Sequence, residues 1–249
     1  MFLLAIDQGN TRTKFGLFSH GTLQRAWNVE TDKTATSDVL RAQAFPSSDL
    51  PRHIHLGLCS VVPELLPAWE QMAAEYDLPL TLLTGNSPTP LQNTYLTPDT
   101  LGGDRLMAAV AAAARVGTPV IPLHAGTATV VDAVSAEGAY LGGIISLGIG
   151  SAAQALTTAT SALPTAAWCE PAHAIGRTSA EALSNGLFYQ SIGGVQAMVT
   201  AVRAELGSPV PLALTGGWAG VLRPYLDNVA LLDEYLVLQG IALTLTSSK

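Results

Sequence analysis

The chain has 249 residues, with 12 Lys and Arg against 19 Asp and Glu, a net charge of -7 and charged residues at only 12%. Apolar residues at 48% exclude a disordered chain, and two Cys with aperiodic Gly exclude disulfide scaffolds and collagen. Scattered basic residues offer no stripe that could follow a phosphate backbone, so no nucleic-acid partner is expected. The opening MFLLAIDQGN lacks a basic leader and is broken by Asp7, so it reads as a strand rather than a signal peptide. Residues 2–6 and 13–18 are apolar runs around Asp7-Gln8-Gly9-Asn10-Thr11, which predicts a hairpin. His20-Gly21 reads as the next turn. A strand is expected over 54–60 and a helix over 65–76, from the spacing of Leu65, Leu66, Trp69, Met72, Ala73 and Tyr76. A short strand follows at 80–83. Residues 84–100, rich in Pro, Thr and Asn, form a loop long enough to suggest function. An Ala-rich helix runs over 104–115, opened by Gly102-Gly103.

The pattern then starts again. An apolar strand at 120–123, the turn His124-Ala125-Gly126-Thr127-Ala128 and a strand at 130–134 match the first hairpin, with Gly9 on Gly126 and Asp7 on His124. This predicts an internal duplication, with domains 1–117 and 118–249. Residues 140–149 extend the second sheet. Helices are expected at 151–162, 179–188, 191–206 and 236–245, and a strand at 211–214 ends in Thr215-Gly216-Gly217. Asp233, Glu234 and Gln239 interrupt 229–245, so no membrane span is expected. Cys59 and Cys169 have no metal-ligand spacing and are expected to be buried, reduced thiols of a cytoplasmic protein.

Four segments could carry chemistry. Asp7, Gly9, Asn10 and Thr11 can form an anion nest, with a strand-end carboxylate suited to water-mediated Mg2+ and Thr11, Thr13 and Lys14 as phosphate donors. The same residues would equally make an ordinary hairpin turn. Gly126-Thr127-Ala128-Thr129 and Thr215-Gly216-Gly217 are two more small-residue turns after apolar strands. Each alone could be structural; the three together suggest an ATP cleft between two domains. None fits the Walker or dinucleotide pattern. In Gly102-Gly103-Asp104-Arg105, the Asp could cap a helix or act as general base, and the Arg could pair with a surface acid or grip a carboxylate.

The motifs LLAIDQGNTRTKFGLF, SVVP at 60–63, and Tyr95, Pro98, Leu101, Gly102, Asp104 and Arg105 in that spacing occur in order. GTAT at 126–129, Asp132, GAYLGGIIS at 138–146, Ile175-Gly176-Arg177, Thr215-Gly216-Gly217 and Leu236-Val237-Leu238 with Gly240 follow. With these the chain resembles the type III pantothenate kinases, bacterial enzymes of coenzyme A synthesis in the actin, heat-shock chaperone and sugar-kinase superfamily. The resemblance implies an α/β fold of two ribonuclease-H-like domains around a central cleft, and a cytoplasmic homodimer. It implies ATP-dependent phosphorylation of pantothenate to 4′-phosphopantothenate. Asp104 matches the catalytic base. Asp7, Gln8, Gly9, Asn10, Thr11, Arg12, Thr13 and Lys14 match the phosphate loop, with Asp7 placed for Mg2+, and Thr127, Gly216 and Gly217 match further ATP contacts. Tyr95, Gly102, Gly103, Asp104 and Arg105 match pantothenate contacts, joined by Ser179 where the family usually has Thr.

Two positions depart from the family pattern. His124 stands where the family has an Asp that binds a monovalent cation (K+ or NH4+), which predicts a weakened or absent cation site. Leu147 replaces a frequent Pro, with only a local effect expected. Two alternatives remain: an impaired member acting as an accessory protein, and a kinase of another small alcohol or a sugar.

Overall fold

The structure is a computed structural model that describes residues 2–46, 53–159, 163–164, 166–207 and 209–247. The chain forms two compact units, Met1–Arg115 with Tyr235–Lys249, and Val116–Glu234. The division between them falls at 115/116, beside the 117/118 expected from sequence, and Tyr235–Lys249 lies with the first unit. Among the described residues no helix is long and apolar enough to cross a membrane.

In the first unit, strands β1 (Phe2–Gln8), β2 (Arg12–Ser19), β3 (Thr22–Glu30), β4 (Ile54–Ser60) and β5 (Leu80–Leu82) lie in the order β3-β2-β1-β4-β5. The first three pair antiparallel, while β4 and β5 continue parallel from β1. His20 and Gly21 both take positive φ, 49° and 77°, in the two-residue turn that joins β2 to β3. Helices α1 (Ser37–Ala44) and α2 (Leu66–Glu75) cover one sheet face, where Leu4, Ile6, Phe15, Leu56 and Leu58 pack with Trp69 of α2. A two-residue strand, β6 (Gln92–Asn93), and 3-10 turns at Pro63–Leu65 and Pro98–Thr100 precede helix α3 (Gly103–Val116).

The second unit repeats this order. Strands β7 (Ile121–Ala125), β8 (Ala128–Val134), β9 (Ala139–Leu147), β10 (Leu212–Thr215) and β11 (Val229–Leu232) lie as β11-β10-β7-β8-β9. Again the first three pair antiparallel and the last two run parallel. This matched order is the ribonuclease-H-like duplication implied by the sequence. The two hairpins differ in one detail. Gly9 N–H donates to the Arg12 carbonyl, three residues on, but Gly126 N–H donates to Ala128, two residues on.

Helices α4 (Ile149–Ala159), α5 (Ser179–Leu206) and the short α6 (Ala219–Leu222) complete this unit. The last three residues of the helix expected at 151–162 lie outside the described residues. The two helices expected at 179–188 and 191–206 are one. Leu187, Phe188, Ile192, Val195, Val199 and Val202 keep one buried stripe running through the small residues at its centre. Thr178 caps it by accepting from Glu181 N–H at 3.2 Å.

Helix α7 (Leu236–Ser247) closes the chain and belongs to the first unit. Leu238 lies against Gly16, and Ile241 and Leu245 lie against Gly57, where the sheet presents no side chain. Gly240 meets the Met107 backbone of α3, and Thr244 Oγ1 donates to Met107 Sδ at 3.3 Å. Burial of these residues against the first sheet carries the last segment back across the expected boundary.

Candidate functional site

In β1 the side chains alternate, and the alternation sorts the candidates. Gln8 points to the α2 face, where its Oε1 accepts from Ser60 Oγ at 2.9 Å and Trp69 Nε1 at 3.1 Å. Thr13, also buried, bonds Thr31 Oγ1 at 3.0 Å, and Thr31 Oγ1 donates to the Gly9 carbonyl at 2.8 Å. Thr13 thus braces the Gly9–Thr11 turn through Thr31, whereas Gln8 is held by Ser60 and Trp69. Asn10 Oδ1 accepts from Lys33 Nζ at 2.9 Å, and Arg12 Nη1 donates to Asn28 Oδ1 at 2.7 Å.

Asp7 faces the opposite side. Its cross-strand partners are Lys14 on β2 and Cys59 on β4. Burial, and then the nearby Asp104 carboxylate, push the Asp7 pKa up to about 7, while Lys14 opposes the shift. The Cys59 thiol is held well above its usual range by burial, then by Asp7 and Asp104. Strand end and helix start thus bring two carboxylates, a lysine and a thiol, those of Asp7, Asp104, Lys14 and Cys59, into one cluster. Cys59 was not anticipated as a member; the strand alternation of 54–60 carried the signal.

Gly103 allows α3 to start where it does. A Cβ there would collide with the Leu83 carbonyl oxygen and lie 3.2 Å from Cys59 Sγ. Gly103→Ala is expected to displace the first turn of α3, with a stability loss of about 1–3 kcal/mol. Turnover should fall as well. Urea unfolding and steady-state kinetics check this, and unchanged values for both would contradict it.

Arg105 is buried on α3, and its Cζ lies 5.6 Å from the ring centroid of Tyr95. The 84–100 stretch that carries Tyr95 is braced internally. Tyr95 N–H donates to Asn93 Oδ1 at 3.0 Å, and Asn93 Nδ2 donates to the Gly85 carbonyl at 2.7 Å. Asn86 Nδ2 donates to Asp99 Oδ1. Tyr95 therefore lies beside Arg105 at the start of α3, which Gly102, Gly103 and Asp104 open.

In the second unit His124 takes the strand position that Asp7 takes in the first, and its partner on β10 is Thr215. Thr215 Oγ1 is buried and has no hydrogen-bond partner among the described residues. The carbonyl of Thr127 accepts from Gly148 N–H at 3.0 Å and Ser151 Oγ at 2.7 Å. Gly216 has φ 97°, and a Cβ there would collide with the Ala125 carbonyl, so only glycine lets the β10 turn close over the end of β7. The turn at 126–127, the start of α4 and the turn at 215–218 therefore meet in a cradle walled by small residues. Ser179 stands apart from it as the exposed first residue of α5. Asp132 is buried and accepts from Tyr140 Oη at 3.0 Å. Cys169 is exposed rather than buried, in the segment between α4 and α5. Leu147 ends β9 with its side chain exposed.

A family model described as type III pantothenate kinase matches residues 3–201. A type III pantothenate kinase from Anaeromyxobacter sp. (strain K) is 36% identical over 245 residues, 96% of each chain. One from Myxococcus xanthus is 36% identical, again over 96% of each chain. Among solved structures, a Campylobacter jejuni protein described as a Baf family transcriptional activator aligns with a TM-score of 0.64 at 18% identity, covering 98% of each chain. A glucokinase of the ROK family from Streptomyces griseus, in complex with glucose and AMPPNP, aligns at 0.53 and 12% identity, covering 97% of this chain and 98% of that one. At these identities the structural likeness speaks to fold alone.

Proposed function

The chain belongs to the type III pantothenate kinase family, and on that premise we propose how its residues move a phosphoryl group from ATP to pantothenate. The observation that carries the reading is the cluster in which Asp104 opens α3 close enough to Asp7 to raise its pKa. Asp104 is half-exposed, so it can meet a substrate hydroxyl. There it orients the primary alcohol and takes its proton as the oxygen attacks phosphorus. Little covalent work is left to the protein, and positioning with electrostatics dominates. The Gly9–Thr11 turn and Lys14 steady phosphate oxygens, with Thr13 holding the turn's shape through Thr31. Thr127, Gly216 and Gly217 take the nucleotide. Arg105, stacked beside Tyr95, binds the pantothenate carboxylate, and Ser179 supplies a further hydroxyl.

Two close carboxylates, one buried, suit a hard divalent cation, and Asp7 would hold Mg2+ through water. Among the described residues no group of three or more His, Cys, Asp or Glu could hold a metal ion. Mg2+ so bound would neutralise charge on the transferring phosphoryl group.

The monovalent cation fares differently. The ends of β7 and β10 present an imidazole and a hydroxyl, His124 and Thr215, in register. The hydroxyl is an oxygen donor, but the imidazole that stands beside it is a poor ligand for a hard alkali cation. Turnover is therefore expected to be independent of potassium. Strong activation in a potassium titration against a choline control would refute this.

The cytoplasm, where ATP and pantothenate meet, is the proposed location. A homodimer would cover Leu96 and Ile175, which are 97% and 82% exposed beside Tyr95 and Arg177. Retention of Asp7, Asp104 and Arg105 favours catalysis over an accessory role. An ADP-release assay across pantothenate, other small alcohols and sugars tests the whole reading. Pantothenate should be the preferred acceptor, and absence of pantothenate-dependent ADP release would end the proposal.

A further inference from the structure

The cradle of the second unit has an aromatic wall that the phosphoryl chemistry does not use. Trp218 directly follows the Thr215-Gly216-Gly217 turn, and its backbone N–H donates to the Ala125 carbonyl at 3.0 Å. This bond ties it to the strand that leads into the Gly126–Thr127 turn. Its indole is half-buried and is held from behind by Trp168, with ring centroids 6.2 Å apart at 63°. Trp168 in turn packs on Phe188 at 5.4 Å, and Phe188 on Tyr225 at 5.3 Å. The indole is therefore backed by a chain of rings that reaches the apolar core of this unit.

The residue beside the indole is the second observation. Gly150 lies in the first turn of α4, where glycine costs about 1 kcal/mol against alanine. A Cβ built there would lie 3.7 Å from Trp218 Nε1 and 3.8 Å from Cζ2. Nothing larger than a methyl group fits without covering the ring. A rigid, half-buried aromatic face beside glycine turns is the kind of surface on which a nucleobase stacks.

We propose that Trp218, buttressed by Trp168, is the residue on which the purine of the nucleotide stacks, and so sets preference for the base. This rests on the reading that the Gly126–Thr127 and Gly216–Gly217 turns hold ATP. Stacking acts on the base and leaves the phosphates alone, which separates it from a general effect on the cradle. Inorganic tripolyphosphate, used as a competitive inhibitor against ATP, reports on the phosphates without a base.

In W218A the KM for ATP is expected to rise about tenfold, while the tripolyphosphate inhibition constant and kcat stay within about twofold. W218F should restore most of the ATP affinity. Gly150→Leu, which covers the indole without removing it, should reproduce the rise in KM, and it serves if W218A does not fold. In the wild type, ATP should change tryptophan emission where tripolyphosphate does not, and W218F should lose that change. An unchanged KM for ATP in both W218A and Gly150→Leu overturns the stacking role and leaves the kinase reading intact. So does a parallel weakening of ATP and tripolyphosphate, which would mean that Trp218 only supports the turn. Wild-type protein without ATP-dependent turnover would instead remove the reading on which this rests.

Discussion

Asp104→Asn is expected to lower pantothenate-dependent turnover by about a thousandfold, within the range for loss of a general base. The substitution keeps the size of the side chain and its place on the first turn of α3. The KM for ATP should therefore change little, since Asp104 is assigned to the acceptor. A second signature follows from the neighbouring carboxylate. Asp104 is one of the two causes that raise the Asp7 pKa, so its removal should lower that pKa. Steady-state ADP release and a pH titration of Asp7 by carboxyl NMR measure the two effects. Retention of more than about a tenth of the activity would sink the base assignment, because even the weakest general-base contributions are about a hundredfold.

Asp7→Asn should abolish useful activity yet make the free protein more stable above neutral pH. The sign follows from linkage. The folded-state pKa is about 7 against the 3.8 usual for an aspartate. Between those values the folded protein holds a proton that the unfolded chain has released, so stability declines as pH rises through this window. Above pH 7 the whole cost of ionising a buried carboxyl is present. Three pKa units correspond to on the order of 4 kcal/mol, which Asn would remove. Thermal unfolding without nucleotide or Mg2+ should show a higher Tm for the variant at pH 8 and little difference at pH 4. Equal Tm values at both pH values would mean that Asp7 is not strained in the free enzyme. A carboxylate kept at such a cost is what a binding group looks like when its stabilising partner arrives with the substrate.

Much of the second of these arguments was legible in the residues. Asp7 at the end of an apolar strand before Gly9 marks a strand-end carboxylate, and the hairpin places Lys14 across from it. What was not legible is the depth of the effect. It depends on Asp104, far along the chain, and on Gly103 settling against Leu83. Some local elements escaped for ordinary reasons. Strand β3 alternates only weakly, with Trp27 and Val29 half-buried, and β11 is four residues long. The break expected at 189–190 does not occur, because the buried stripe of α5 runs straight through it.

The order of strand, turn and strand in both halves, the helices at 66–75, 103–116 and 236–247, and the motif residues were determined by sequence alone. They depend on local periodicity and on turn chemistry, which neighbours in the chain supply. Which residues share a face, which unit claims α7, and which side chains of the phosphate loop look outward were decided only by the tertiary structure. A one-residue step along a strand reverses a side chain's direction, and so Gln8 lies under the sheet with Trp69 while Asp7 meets Asp104.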